Sequence, residues 1–179
     1  MTRTANPSPH SIQVAGIAGA TGAALVLFIA GFENEALAFT ASAFTIPLLG
    51  WGIYGLSLIH KEVRTKTMSA GFWIAEAGVV LLTVGYLLAA IGEAGASDTL
   101  PEIASATAIA PGFLIFLPIG LGLSGFVAMQ TTTMGSWKRL VPSLTAVAGV
   151  IAPQFLLIGF ILLGYAIWAH ARKLAIDTE

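Results

Sequence analysis

The chain has 179 residues, 56% of them hydrophobic and 9% charged, with a mean hydropathy of +0.87 and no cysteine. Nine acidic and eight basic side chains cannot cover the surface of a water-soluble globule this apolar, because soluble domains are about a quarter charged. Soluble enzymes, disordered regulators and disulfide scaffolds are thereby excluded, and a net charge of -1 offers nothing to nucleic acid.

What remains is an all-α integral membrane protein. A spanning helix needs about 20 mostly apolar residues, and five runs qualify: 12–32, 36–59, 68–92, 103–129 and 141–169. Residues 1–11, with Pro7 and Pro9, read as a short disordered tail. The first run carries a stripe of small residues, Gly16, Gly19 and Gly22. It is followed by Ala36-Leu-Ala38 and Ala41-Ser-Ala43, which resemble cleavage sites, but the run exceeds the usual core of a secretory signal and is expected to stay as a span. The second run is uncharged, contains Pro47, Gly50, Gly52 and Gly55, and stops before His60. The third holds one charge, Glu76, and the fourth holds Pro118, Gly120, Gly122 and Gly125. The fifth contains Pro153 and Gln154; it is longer than one crossing needs, so its start is expected in the interface or at a bend at Pro142. Residues 171–179 form a short polar tail, which leaves 12–170 as a single transmembrane domain.

Charges fall between the runs. Lys61, Arg64 and Lys66 occupy the second connection, and Lys138 and Arg139 the fourth. The first and third connections hold Glu33, Glu35, Glu93, Asp98 and Glu102 and no basic residue. Positive residues stay in the cytoplasm, so the N-terminus with Arg3 is expected inside. Five crossings then put Arg172 and Lys173 outside, two against six inside. Trp73 and Trp137 fit inner-interface anchors, Tyr165 and Trp168 outer ones, while Trp51 lies well inside its span. Small size and short connections suggest the cytoplasmic membrane of a prokaryote.

An internal echo links helices 2–3 to helices 4–5. Pro47, Gly50, Gly52 and Gly55 recur as Pro118, Gly120, Gly122 and Gly125, and Ala75-Glu-Ala-Gly-Val-Val80 recurs as Ala146-Val-Ala-Gly-Val-Ile151, at offsets of 70 to 71 residues. A duplicated helix pair would produce this. So would the restricted alphabet of membrane helices.

Most motifs with a chemical look resolve into packing. Gly50-x-Gly52-x-x-Gly55 and Gly120-x-Gly122-x-x-Gly125 match the dinucleotide fingerprint, but neither follows a strand or precedes an acid by about 20 residues. Glycines inside apolar helices instead let backbones approach, and Pro47, Pro118 and Pro153 are expected to kink their helices. His10, His60 and His170 are the only histidines, and five crossings place the last two on opposite sides of the membrane. A shared haem is excluded on that topology, zinc lacks ligands, and no metal or cofactor is expected. No serine or threonine is matched in depth by a histidine or second carboxylate, so no enzyme is expected.

Glu76 is the exception. It lies about eight residues into its run, roughly 12 Å deep. A charged carboxyl there costs about 2.5 kcal/mol or more if lipid-facing, so it should face the interior or carry a proton. Thr83 follows seven residues on, on the same helix face, and Gln154 is Thr83's counterpart in the echo. Glu76, Thr83 and Gln154 are the candidate polar site. Two functions fit. The first is a non-enzymatic membrane subunit, assembly partner or sensor that packs through its glycines against itself or another membrane protein. The alternative is a small transporter or proton or cation permeation unit built on Glu76.

Overall fold

Side-chain caps and prolines mark where the helices begin. In the computed structural model, which describes residues 8–135 and 137–176, the chain is helical with short connections. Helix α1 (Pro9–Ile29) starts where the Ser8 hydroxyl accepts from the Ser11 amide, with Pro9 in the first turn. Asn34 caps α2 (Glu35–Thr45), which runs into α3 (Pro47–Ile59) through the helical residue Ile46. Thr65 caps α4 (Lys66–Ile91), which ends in a π-helical turn, Gly92–Ala96, closed by Gly95 at φ 96°. Left-handed backbone of that kind is where glycine is cheapest.

The next crossing is built from α5 (Leu100–Ala104), two π-helical turns (Ser105–Ile109 and Gly112–Phe116) and α6 (Leu117–Met129). Each of these two π turns ends two residues before a proline. The Ala110 amide bonds the Ser105 carbonyl ahead of Pro111, and the Leu117 amide bonds the Gly112 carbonyl ahead of Pro118. A proline ring clashes with the carbonyl four residues back, and a widened turn relieves the clash. A 3-10 turn (Lys138–Leu140) leads into α7 (Val141–Ile151), and α8 (Pro153–Ile176) follows.

Among the described residues, five helices are long and apolar enough to cross a membrane: Pro9–Ile29, Glu35–Ile59, Lys66–Ala96, Leu100–Met129 and Pro153–Ile176. The stretch 141–169, expected as one span with a bend at Pro142, is two antiparallel helices. Ala152 is fully extended (φ -163°, ψ 145°) and Pro153 supplies no amide to continue α7. The chain then doubles back, so that Gly149 meets Leu156 and Gly159 meets Thr145. Trp137, before α7, stacks on Tyr165 of α8 with ring centroids 6.3 Å apart.

That reversal changes which end of the bundle α8 reaches. Gly16 of α1 abuts Gly164 and Trp168, and Ala20 abuts Gly164, so α1 and α8 run antiparallel. His170 and Leu174 share a crevice with Ile12, Lys61 and Thr133. The C-terminal turns of α8 therefore lie at the end where α1 begins and α3 finishes. Arg172 and Lys173, expected opposite the other basic residues, lie with them, and Lys138 is near enough to Lys173 to feel its charge. Tyr165 and Trp168 likewise belong with Trp137 at the basic end rather than opposite it.

Helix α3 is central. Leu49, Ile53 and Leu56 are fully buried, and they join Leu82, Leu117, Leu121, Phe160 and Leu163 in one core. Gly19 and Gly52 meet at the α1–α3 crossing, where a Cβ on Gly19 would lie 2.6 Å from the Gly52 Cα. Gly22 sits on Leu48, Gly55 on Ala15, Gly120 on Gly71 and Ala75, and Gly125 on Ser143. The outer surface, by contrast, presents Phe28, Phe44, Trp73, Val150 and Ile151. An exposed apolar band of this size, with five apolar helices, fits a multi-pass membrane protein.

Candidate functional site

Glu76 sits near the middle of α4, where that helix faces α3 at Gly50. A Cβ added at Gly50 would stand 3.0 Å from Glu76 Oε2, so the missing side chain leaves the space the carboxylate uses. Around this point α3 and α4 separate. The resulting lateral cavity of about 610 Å³ is lined by Pro47, Gly50, Trp51, Tyr54, Glu76 and Thr83. A second cavity of about 460 Å³ shares Tyr54, Glu76 and Val80 and runs on towards Arg64 at the basic end. The carboxylate therefore stands at the junction of two grooves that open on the outer face of the bundle.

The carboxylate makes no hydrogen bond or ion pair with any described residue. Thr83 shares its groove, but the Thr83 hydroxyl donates to the Val79 carbonyl at 2.9 Å within its own helix. Arg64 borders the lower groove and is engaged already: its Nε donates to Ser69 Oγ at 2.8 Å, and its guanidinium lies 5.2 Å from the Phe72 ring centroid. Trp51 and Tyr54 meet edge to face at 6.1 Å and are about half exposed, at 51% and 49%.

Of the three residues expected to form a polar site, Glu76 and Thr83 share a groove and Gln154 does not. Gln154 is exposed in the first turn of α8, at the tip of the α7–α8 hairpin, and lines neither cavity. Its depth gave no information about which way it faces. The groove instead recruits Trp51 and Tyr54. Their spacing of three residues beside Gly50 is the signal that places them on one helix face.

The basic end holds the other titratable group of interest. His60 is fully buried, and its Nδ1 lies 3.0 Å from the Leu56 carbonyl. A carbonyl only accepts, so Nδ1 carries the hydrogen and Nε2 the lone pair, with no partner. Burial pushes this imidazole below its usual range, against the upward pull of the Leu56 hydrogen bond. His170 lies near enough to His60 to interact with it electrostatically, so the two are not separated by the bundle as five crossings implied. Among the described residues no group of three or more histidine, aspartate or glutamate side chains that could hold a metal ion is found.

The two GxGxxG sequences lie wholly inside α3 and α6, where the backbone amides are committed to helical bonds. The echo in sequence does not extend to the packing partners: Gly50 faces Glu76 and Val79 of α4, whereas its counterpart Gly120 lies against Gly71 and Ala75, also of α4. The likeness stops at Ile151, where α7 ends and its counterpart α4 continues to Ile91. No family model, curated protein or solved structure matches the chain.

Proposed function

We propose that the chain is a small multi-pass protein of a prokaryotic cytoplasmic membrane, basic end inward, that handles a cation or proton through Glu76. One observation carries this reading: an unpartnered carboxylate, within an apolar helix long enough to span a membrane, at the junction of two grooves open on the outer face of the bundle. A charged carboxyl at such depth is costly unless it is paired or takes up a proton, and acids kept within membrane helices mark ion and proton pathways. The glycines argue the same way. Gly16, Gly19, Gly22, Gly52, Gly55, Gly120 and Gly125 are all taken up by the chain's own helices. These glycines are therefore not available to recruit another protein, the role an assembly partner would give them.

The test is flux in liposomes of the purified chain under proton, sodium or potassium gradients. Wild type should exceed empty vesicles, and Glu76→Gln should lose about tenfold or more, since the amide keeps the hydrogen-bonding atoms but cannot carry charge. Equal melting midpoints would show that both are folded. Flux no greater than in empty vesicles under every gradient would overturn the reading.

A further inference from the structure

We propose that the α3–α4 groove binds an apolar organic cation, with Glu76 as its counter-charge and Trp51 and Tyr54 as the aromatic faces it packs on. This ligand class rests on reading Glu76 as a cation-handling residue, and it follows from what surrounds the carboxylate.

Size comes first. A cavity of about 610 Å³ falls within the usual 300–1,000 Å³ range for small-molecule sites. Charge comes second. Among the residues lining this cavity, Glu76 is the sole carboxylate and no lysine or arginine is present. A neutral acyl chain would fill the groove and leave the carboxylate without a partner. Coordination comes third. A hard inorganic ion wants six or more oxygen ligands, whereas the side-chain oxygens lining this cavity beside the Glu76 carboxylate are only those of Tyr54 and Thr83. An organic cation needs one counter-charge and aromatic faces, and aromatic surfaces attract such cations most strongly where water is excluded. Access comes last. Trp51, Tyr54 and Trp73 are 49% to 73% exposed on the outer face, so the opening is lateral. The lower route passes Arg64, whose positive charge repels a cation arriving from the basic end.

The experiment is equilibrium dialysis of radiolabelled tetraphenylphosphonium against the full chain in phosphatidylcholine nanodiscs, with empty nanodiscs subtracted. Saturable binding is expected, with Glu76→Gln about tenfold or more weaker and Glu76→Asp partly restored. Trp51→Ala, at a half-exposed position that packing does not fix, should weaken binding about two- to fivefold. Neutral triphenylphosphine oxide should not compete. Absence of saturable binding, binding indifferent to Glu76→Gln, or equal competition by the neutral compound would each overturn the ligand class. Glu76-dependent flux of protons or inorganic cations without tetraphenylphosphonium binding would overturn this inference and leave the cation-handling function standing. Glu76-dependent tetraphenylphosphonium binding without flux of any kind would uphold the ligand class and overturn transport.

Discussion

Two glycines that look alike in sequence have different tasks. Gly19 lies against backbone: its Cβ would reach 2.6 Å from the Gly52 Cα, and neither helix can yield without the whole crossing opening. Gly122 has room, with the nearest atom, the Ala146 Cβ, at 3.7 Å. Gly19→Ala should therefore cost about 1–3 kcal/mol of stability through overpacking. Gly122→Ala should be neutral or stabilise by up to about 1 kcal/mol, because alanine is the better helix former. Melting in detergent checks both, and equal midpoints would mean that the α1–α3 crossing is not as close as described. At this same scale Glu76 is legible from sequence, being the one charge in a long apolar run. Its surroundings are not. Trp51 and Tyr54 belong to another helix, and nothing in a linear pattern says which faces of two helices will meet.

At the level of the helices, the departure from expectation is the α7–α8 hairpin. Pro153 marks a break in any reading, since it cannot donate to the preceding turn. Whether the chain bends there or reverses is decided by contacts the sequence does not display: Gly149 against Leu156, and Gly159 against Thr145. The other boundaries fall within about three residues of the ends of the apolar runs, because where an apolar run stops is a local signal. The hairpin has a direct test in a chain free of cysteine. Residues 137 and 165 would be about 42 Å apart along a continuous helix at 1.5 Å per residue. In the hairpin their rings stack at 6.3 Å. The double variant Trp137→Cys, Tyr165→Cys should cross-link with a short bis-maleimide in nearly all folded molecules. A failure to cross-link, with both thiols still reactive, would restore the single helix.

For the whole molecule, the reversal settles a mismatch in the distribution of charge. Lys61, Arg64, Lys66, Lys138, Arg139, Arg172 and Lys173 gather at one end of the bundle, and Glu33, Glu35, Glu93, Asp98 and Glu102 at the other. With the start of α1 and the end of α8 both on the basic side, the two positive residues that five crossings would expose outside return to the side the positive-inside rule prefers. Single cysteines should report this in intact cells with an impermeant maleimide. Position 98 should label from outside, whereas 64, 138 and 172 should label only after lysis. External labelling at 172 with protection at 64 would reinstate an odd number of crossings.

Synthesis order gives the hairpin a further consequence. Helix α1 leaves the ribosome first and α8 last of the eight, yet the two form the most extensive helix–helix contact in the chain. Until α8 is made, the face of α1 carrying Gly16 and Ala20 has no neighbour. Helix α7 offers no interim cover, because its 11 residues extend only about 16 Å, too short to be held as a span alone. The hairpin must therefore enter as a unit, a closing wedge between α6 and α1. A nascent chain arrested before residue 153 stays open along one flank, with the small-residue seam that membrane quality control would meet first.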